Sequence, residues 1–463
     1  MTSTHPELDL DIVNLVIDEL HDSRPGLKTC ALVCRSWVSQ SRFHLFSTIR
    51  LNNRYDVSSF IALCASPYST ILSARTSNLA ISTNRLGGVK YKDKSPGVFD
   101  QVLTWRSPHD GKSIADVFRH LKTLSLDGMG WRSAKSMSQL AFQTVTELRM
   151  RNVVFETGDD FLEFLSSLIC LEKLCLINVS LRAPGQASTM QSNVFSSRFH
   201  TIDLKNLSPR SGHVIRAITP CHSLKNLSVH VHNFREISAD CSMAIWELLV
   251  SAGPSLESFA FCVQAVGRKF KEDALDLDAS LQHIDFTENS NLRKITLDVS
   301  DSAYLVPFLE RLTKSRYPPS LEKLHIPWLV PEMGSTRVDY KRINELLQHP
   351  YFSALNEFRC SLYVVSERSE TWYDGQPIEG SLLRKVMESK IEELKAAMSK
   401  LADKGILQVD KYFWQSRDVV HRRLWVMAFA FRRSFRKDKS DEDQDTENDD
   451  ENRDDREREG GKD

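Results

Sequence analysis

Two cysteines four positions apart, Cys30 and Cys34 in "LKTCALVCRSW", are the residues whose type and spacing first suggest chemistry. A structural zinc site needs four ligands, usually from two closely spaced pairs. This stretch supplies one loose pair, and His21 and His44 each stand alone nearby. A redox pair would have two residues between the thiols, and here there are three. The pattern therefore favours two small apolar groups packed on one helical face.

Three other candidates for chemistry are incomplete. The "GKS" at 111–113 resembles the end of a phosphate-binding loop, but Arg106 stands where that loop needs its first glycine. His230 and His232 share one side of a predicted strand, a pattern more typical of exposed histidines than of a metal site. Cys175 has no histidine placed by the sequence to activate it. The sequence therefore predicts a chain that is not an enzyme and has no catalytic residue, cofactor or metal.

The chain is long, and its charge is unevenly distributed. Of its 463 residues 41% are hydrophobic, enough for a substantial core. Residues 438–463 contain 14 Asp/Glu and 5 Lys/Arg, a net charge of −9, so the other 437 residues carry about +8 to give the total of −1. No apolar run is long enough to cross a membrane, and no signal peptide is visible. We expect a cytoplasmic or nuclear protein with free cysteines.

The N-terminal region reads as two amphipathic helices. In "LDIVNLVIDEL" (10–20) the spacing puts Val13, Val16, Ile17 and Leu20 on one face. Proline and glycine in "DSRPG" (22–26) end this helix. A second helix is predicted to carry one apolar stripe made of Leu27, Cys30, Ala31, Cys34 and Val38.

These helices resemble an F-box, especially those of a large fungal family of F-box proteins with leucine-rich repeats. The matching residues are Leu8, Asp9, Asp11, Ile12, Val13, Leu27, Cys30, Val33, Cys34, Arg35 and Trp37, with Asp9 in place of the usual proline. The resemblance implies a small helical module at residues 1–46 that docks on a Skp-type adaptor and, through it, on cullin and RING proteins. The residues implied in adaptor binding are Leu8, Asp9, Ile12, Val13, Val16, Leu20, Leu27, Cys30, Val33, Cys34 and Trp37. A helical hairpin that caps the next domain would show the same amphipathic spacing.

A six-residue unit recurs from residue 121, with apolar residues at its first, fourth and sixth positions. The units are "LKTLSL" (121), "VTELRM" (145), "LEKLCL" (171), "FHTIDL" (199), "LKNLSV" (224), "LESFAF" (256), "LRKITL" (292), "LEKLHI" (321) and "LNEFRC" (355). Such alternation predicts strands, and helical patterns such as 159–169, 243–252 and 303–312 lie between them. The pattern resembles degenerate leucine-rich repeats, so we expect an α/β fold with an irregular solenoid over 47–365.

Side chains at the third and fifth positions of each unit are expected to face away from the core. Because a solenoid presents its strands as an extended binding surface, they are candidate contacts for a target protein. The candidates are Arg149, Lys173, Asp203, Lys294, Lys323, His325, Glu357 and Arg359. A merely solvated face would have the same polar composition.

The C-terminal part departs from the repeat pattern. Residues 366–436 are predicted to be a helical region, with a long helix at 380–405 and a helix at 413–435 that caps the last repeat. Residues 437–463 contain no hydrophobic side chain and are predicted to be disordered.

Together these features suggest the substrate receptor of an SCF-type ubiquitin ligase. The main alternative is a leucine-rich-repeat scaffold for protein interactions with no link to a ligase. Nucleic-acid binding through the basic body is a weaker third interpretation, which steep salt dependence would favour.

Overall fold

The fold is known from a computed structural model. It describes residues 9–66, 71, 75–82, 102, 105–128, 142–183, 196–208, 210–231, 238–263, 283–299, 305–314, 320–326, 339–365 and 380–414. Most of the helix predicted at 413–435 and the acidic tail at 437–463 lie outside these residues.

Helices and strands alternate along most of the described chain. The helices are α1 (Leu10–Glu19), α2 (Arg24–Val33), α3 (Arg35–Leu45), α4 (Arg54–Ala65), α5 (Ile114–Val117), α6 (Gly158–Ser166), α7 (Ser211–Ala217), α8 (Ala239–Ala252), α9 (Leu305–Leu312), α10 (Tyr340–Leu346), α11 (Gly380–Ala397) and α12 (Ser399–Asp403). The strands are β1 (Thr48–Leu51), β2 (Asn78–Ser82), β3 (Thr123–Asp127), β4 (Glu147–Arg151), β5 (Val154–Phe155), β6 (Lys173–Ile177), β7 (Ser180–Leu181), β8 (Thr201–Lys205), β9 (Asn226–Val231), β10 (Ser258–Val263), β11 (Lys294–Val299), β12 (Lys323–Ile326), β13 (Glu357–Val365) and β14 (Leu407–Trp414).

Within the described residues, twelve of the strands form one sheet in chain order, and β5 pairs with β7 separately. Every strand pair in the main sheet is parallel, and the register places the fourth residue of each repeat unit beside the fourth residue of the next. Leu148, Leu174 and Ile202 are consecutive members of this apolar ladder. A stack of parallel strands joined by helices, with one strand per repeat, is a leucine-rich-repeat-like solenoid.

One continuous core lies between the sheet and the helices. The fourth and sixth residues of the units supply its strand side, and Phe161, Phe164, Ile245 and Leu309 are among the helical residues that cover it. Several helices begin at side-chain caps, as at Thr157, whose hydroxyl accepts from the Asp160 backbone amide in a capping box that starts α6. A single repeat has no core of its own, so stacking supplies the stability.

Three strands of the main sheet lie outside the nine units. β1 ends the stretch "FSTIRL" (46–51), which has the same apolar positions, whereas β2 and β14 do not match the pattern. β2 lies between residues 52 and 120, a stretch that contains none of the nine units, and β14 lies in the region predicted to be helical. In both units the first position is not apolar: Thr76 is buried and donates a hydrogen bond to the Phe46 carbonyl, and Lys404 is exposed. The solenoid therefore continues through Trp414, and the prediction that 413–435 forms one helix is wrong at Phe413 and Trp414.

The long helix predicted at 380–405 is also divided. α11 ends at Ala397, and α12 begins at Ser399, because Met398 leaves helical geometry with ψ of 35°. Met398 is fully buried, and the exposed fraction of Leu394 and Leu401 is only 1%. The break turns the apolar residues of both helices towards the same core.

Three asparagines close the turns after consecutive strands. Asn152, Asn178 and Asn206 have φ of 52°, 53° and 51°, the left-handed region that asparagine tolerates better than most residues. Each backbone amide donates to a carbonyl of the next strand. The Asn178 Nδ2 donates to the Asn152 Oδ1 at 2.8 Å. These asparagines form a ladder that joins neighbouring repeats.

We expect Asn152→Ala to lower the free energy of unfolding by about 1–3 kcal/mol, because alanine is strained at positive φ and the side-chain hydrogen bonds are lost. Asn152→Gly keeps the backbone conformation and should cost less. Urea unfolding followed by circular dichroism distinguishes them. Equal losses for the two variants would show that backbone strain contributes nothing here.

Candidate binding surfaces

The first three helices form a small module with its own core. Val13, Ile17, Leu27 and Cys30 are buried together, with Leu20, Trp37 and Leu45 packed against them. The predicted single helix at 27–38 is two helices, because Cys34 adopts extended backbone with φ of −160°. α3 thereby folds back across both α1 and α2.

A polar cluster fixes α1 against α3. The Asp18 carboxylate accepts hydrogen bonds from His44 Nε2 at 2.6 Å and from Gln40 Nε2 at 2.5 Å. These two hydrogen bonds hold the pKa of Asp18 below its ordinary value, and the bond from His44 has the larger effect. The module also contacts the sheet, since an Arg24 guanidinium nitrogen donates to the Thr48 carbonyl of β1 at 3.2 Å.

The module leaves a set of large apolar side chains exposed. On α1, Ile12, Leu15 and Val16 are 52%, 64% and 51% exposed, and their i, i+3, i+4 spacing places them on one side of the helix. Leu32 and Val33 at the end of α2 are also exposed. Exposed apolar groups at this density are typical of a surface that another chain covers. We call Ile12, Leu15, Val16, Leu32 and Val33 the apolar patch.

The residues implied in adaptor binding fall into four groups. Ile12, Val16 and Val33 belong to the apolar patch, and Asp9 and Cys34 are also exposed. Leu20 and Trp37 are half-buried. Val13, Leu27 and Cys30 are buried in the module core, so they shape the surface without forming it. Leu8 lies outside the described residues. Leu15 and Leu32 belong to the patch but were not predicted.

The two cysteines that first drew attention differ in environment. Cys30 is buried as expected, but the prediction that Cys34 packs on the same face is wrong, because the helix ends before it. The Cys34 thiol lies 3.0 Å from the Ser36 hydroxyl, and this hydrogen bond lowers its pKa.

The second candidate surface is the side of the main sheet that carries the third, fifth and seventh residues of each unit, here called the strand face. Every predicted target contact lies on it. Arg149, Cys175 and Asp203 are neighbours across β4, β6 and β8. Lys294, Lys323 and Glu357 are neighbours across β11, β12 and β13, and His325 lies beside Arg359.

Ion pairs join many charges of the strand face. The shortest contacts are Arg149–Glu147 at 2.7 Å, Lys205–Asp203 at 2.7 Å, Lys323–Glu357 at 2.9 Å and Arg359–Asp410 at 2.6 Å. Burial, followed by the charges of Arg359 and Lys294, lowers the pKa of His325. His325 is therefore neutral at pH 7, and its Nε2 has no hydrogen-bond partner in the described chain.

The centre of the strand face contains thiols that are unsuited to nucleophilic chemistry. Burial raises the pKa of Cys175 to about 11 and that of Cys262 to about 12. A thiol with so high a pKa carries almost no thiolate at neutral pH. Asp203, which lies 3.7 Å from the Cys175 sulfur, raises the pKa of Cys175 further.

Asp298 is a residue of this surface that the sequence interpretation missed. It is the seventh residue of its unit, next to Cys262 on β10. Burial raises its pKa to about 6. The alternation of apolar and polar residues could have identified Asp298, because it continues for one polar position beyond the six-residue unit.

We expect Asp298→Asn to stabilise the protein above pH 6 by about 2–3 kcal/mol, from a pKa difference of about two units. The folded-state pKa lies above the unfolded value of 3.8. The folded state therefore holds the proton more strongly, and stability falls as pH rises from about 4 to 6. Unfolding at pH 4 and pH 7.5 tests this, and the benefit should be absent at pH 4. An equal effect at both values would contradict it.

Within the described residues no group of three or more His, Cys, Asp or Glu side chains is arranged to hold a metal ion. No helix there combines the length and apolar character needed to cross a bilayer.

No protein-family model matches the chain, and no curated protein matches it. Among solved structures it is similar to the leucine-rich repeat-containing protein LegL7 from Legionella pneumophila, at 11% sequence identity and a TM-score of 0.36. That similarity covers 67% of this chain and 89% of LegL7. The repeat architecture described above rests on the strand register of this chain itself.

Proposed function

We propose that this chain is the substrate-recognition subunit of an SCF-type (Skp–cullin–F-box) ubiquitin ligase. Its N-terminal module binds a Skp-type adaptor, and its strand face binds a target protein. The chain contributes no catalytic group. It acts by holding target lysines near the charged ubiquitin carrier, which raises their effective concentration. A receptor of this kind would work in the cytoplasm or nucleus, where such ligases act.

The observation that carries this proposal is the burial pattern of α1. Val13 and Ile17 on one side are 4% and 0% exposed, whereas Ile12, Leu15 and Val16 on the other are more than half exposed. A helix with apolar residues on both sides is normally buried on both. The second side is open here, and the F-box resemblance of the same residues indicates what covers it.

Co-expression of the full chain with a Skp-type adaptor tests the proposal. We expect a 1:1 complex by size-exclusion chromatography with light scattering, and adaptor-dependent recruitment of cullin and RING proteins. Failure of the folded chain to retain the adaptor would refute the ligase assignment.

A repeat scaffold without a ligase is the second candidate. Two observations favour it: the module has a buried core of its own, and Arg24 joins it to the edge strand β1. Both suit a cap on the first repeat, because solenoid ends need covering. A scaffold would bind partners through the strand face with or without the adaptor.

A further inference from the structure

The strand face has an excess of outward-facing positive charge. Arg151, Lys173 and Lys294 are exposed on it, and none forms a salt bridge within the described residues. Four carboxylates of the face, Glu147, Asp203, Glu357 and Asp410, are each engaged by a cation. The remaining ones, Asp127 and Asp298, are half-buried.

Depth separates the two signs of charge. In the four ion pairs the acidic side chains are 20–27% exposed and the basic ones 36–58% exposed. An approaching polypeptide therefore meets ammonium and guanidinium groups first. Complementary charge at a surface steers association and fixes which segment binds.

The free cations are spaced for an extended segment. Lys173 and Lys294 occupy the same position of their units, four strand steps apart, with Thr201, Asn226 and Ser258 between them. Four steps of about 4.8 Å make roughly 19 Å. About six extended residues cover that distance, and the small uncharged side chains between the lysines leave room for them.

The same chain contains a segment of matching chemistry. Residues 438–463 carry 14 acidic and 5 basic side chains. β14 ends at Trp414, so 23 residues, 415–437, connect it to this segment. A 23-residue connection reaches at most about 80 Å, and Lys294 lies only three strand steps, about 14 Å, from β14. Covalent attachment makes the encounter intramolecular and raises its effective concentration.

We propose that the acidic segment 438–463 binds the strand face of its own chain, across Lys173, Arg151 and Lys294, where it competes with acidic segments of other proteins. The interaction is independent of adaptor binding, since it involves no residue of the N-terminal module. The net charges of −9 for the segment and about +8 for the rest of the chain are complementary.

Zero-length cross-linking of the full chain with a carbodiimide, which joins lysine amines to carboxylates, tests the contact. We expect cross-links between Lys173 or Lys294 and acidic residues of 438–463. The yield of these products should fall several-fold at about 0.5 M salt, where charges are screened. Lys314 and Lys341, exposed on the helical side, are the matched controls. The proposal would be overturned if the tail formed no cross-links, or if it cross-linked to Lys314 and Lys341 as often as to Lys173 and Lys294. Mixing isotopically labelled and unlabelled chains identifies products between copies, which would also overturn it.

A binding measurement tests the competition. Labelled oligoglutamate is titrated into the full chain and into a full-length variant whose 14 tail carboxylates are replaced by amides. We expect the variant to bind the probe at least ~5-fold more tightly at low salt, because the competing charges are gone. Adding Lys173→Glu and Lys294→Glu to that variant should abolish the gain, whereas Lys314→Glu and Lys341→Glu should not. Equal affinity of the full chain and the amide variant would contradict the proposal.

Discussion

Replacing Ile12 and Val16 together by aspartate is expected to weaken adaptor binding at least ~100-fold and to leave the repeat region folded. Both side chains are more than half exposed on α1. Their burial by a partner contributes about 1.5–3 kcal/mol each, and a 100-fold change in affinity corresponds to about 2.7 kcal/mol. Desolvation of two new carboxylates would add to the loss.

The fold of the module should survive these substitutions, because its core residues Val13 and Ile17 face the other way. Titration calorimetry with the adaptor gives the affinity, and circular dichroism checks folding. Val250→Asp is the matched control, since Val250 is 38% exposed but lies on α8 in the repeat region. If the double variant binds the adaptor with an affinity within about threefold of that of the unmodified chain, the α1 surface is excluded as the contact.

Phe259→Ala is expected to lower the free energy of unfolding by about 3–5 kcal/mol, the usual cost of removing a buried aromatic side chain. Phe259 is fully buried at the fourth position of its unit, beside Leu227 and Ile295. Its ring lies 5.0 Å, centre to centre, from that of Phe286. The cavity would therefore open between three adjacent repeats.

In a solenoid such a loss is local, since each repeat contacts mainly its neighbours. Hydrogen exchange should show the largest loss of protection in β9, β10 and β11, together with a lower urea midpoint. Ala260→Ser, one residue later on the strand face, is the control and should change stability by less than about 0.5 kcal/mol. A loss below about 1 kcal/mol for Phe259→Ala would mean that the core is less tightly packed than the structure indicates.

Most of the repeat architecture could be predicted from alternation. Each of the nine units coincides with a strand of the sheet, and all eight predicted target contacts lie on the strand face. β2 and β14 were missed because Thr76 and Lys404 occupy positions that are apolar elsewhere. The buried Thr76 hydroxyl donates its hydrogen bond to the Phe46 carbonyl, about 30 residues earlier in the chain, so the sequence around Thr76 carries no sign of it.

The N-terminal module shows where such prediction fails. Helix α1 is apolar on both sides, so its sequence does not distinguish Val13, which is buried, from Val16, which is exposed. The difference depends on which side α3 covers, and that depends on the break at Cys34 and on the hydrogen bonds of Asp18 with Gln40 and His44.

Within the nine units the sequence by itself determined which residues form strands and which side of each strand is apolar, because a period of two is a local property of the chain. The tertiary structure alone decided which charges of the strand face are paired, which thiols are buried and which side of α1 remains open. Burial and ion pairing depend on residues that are a whole repeat or a whole helix away, and neighbours at that distance are fixed only when the chain has folded.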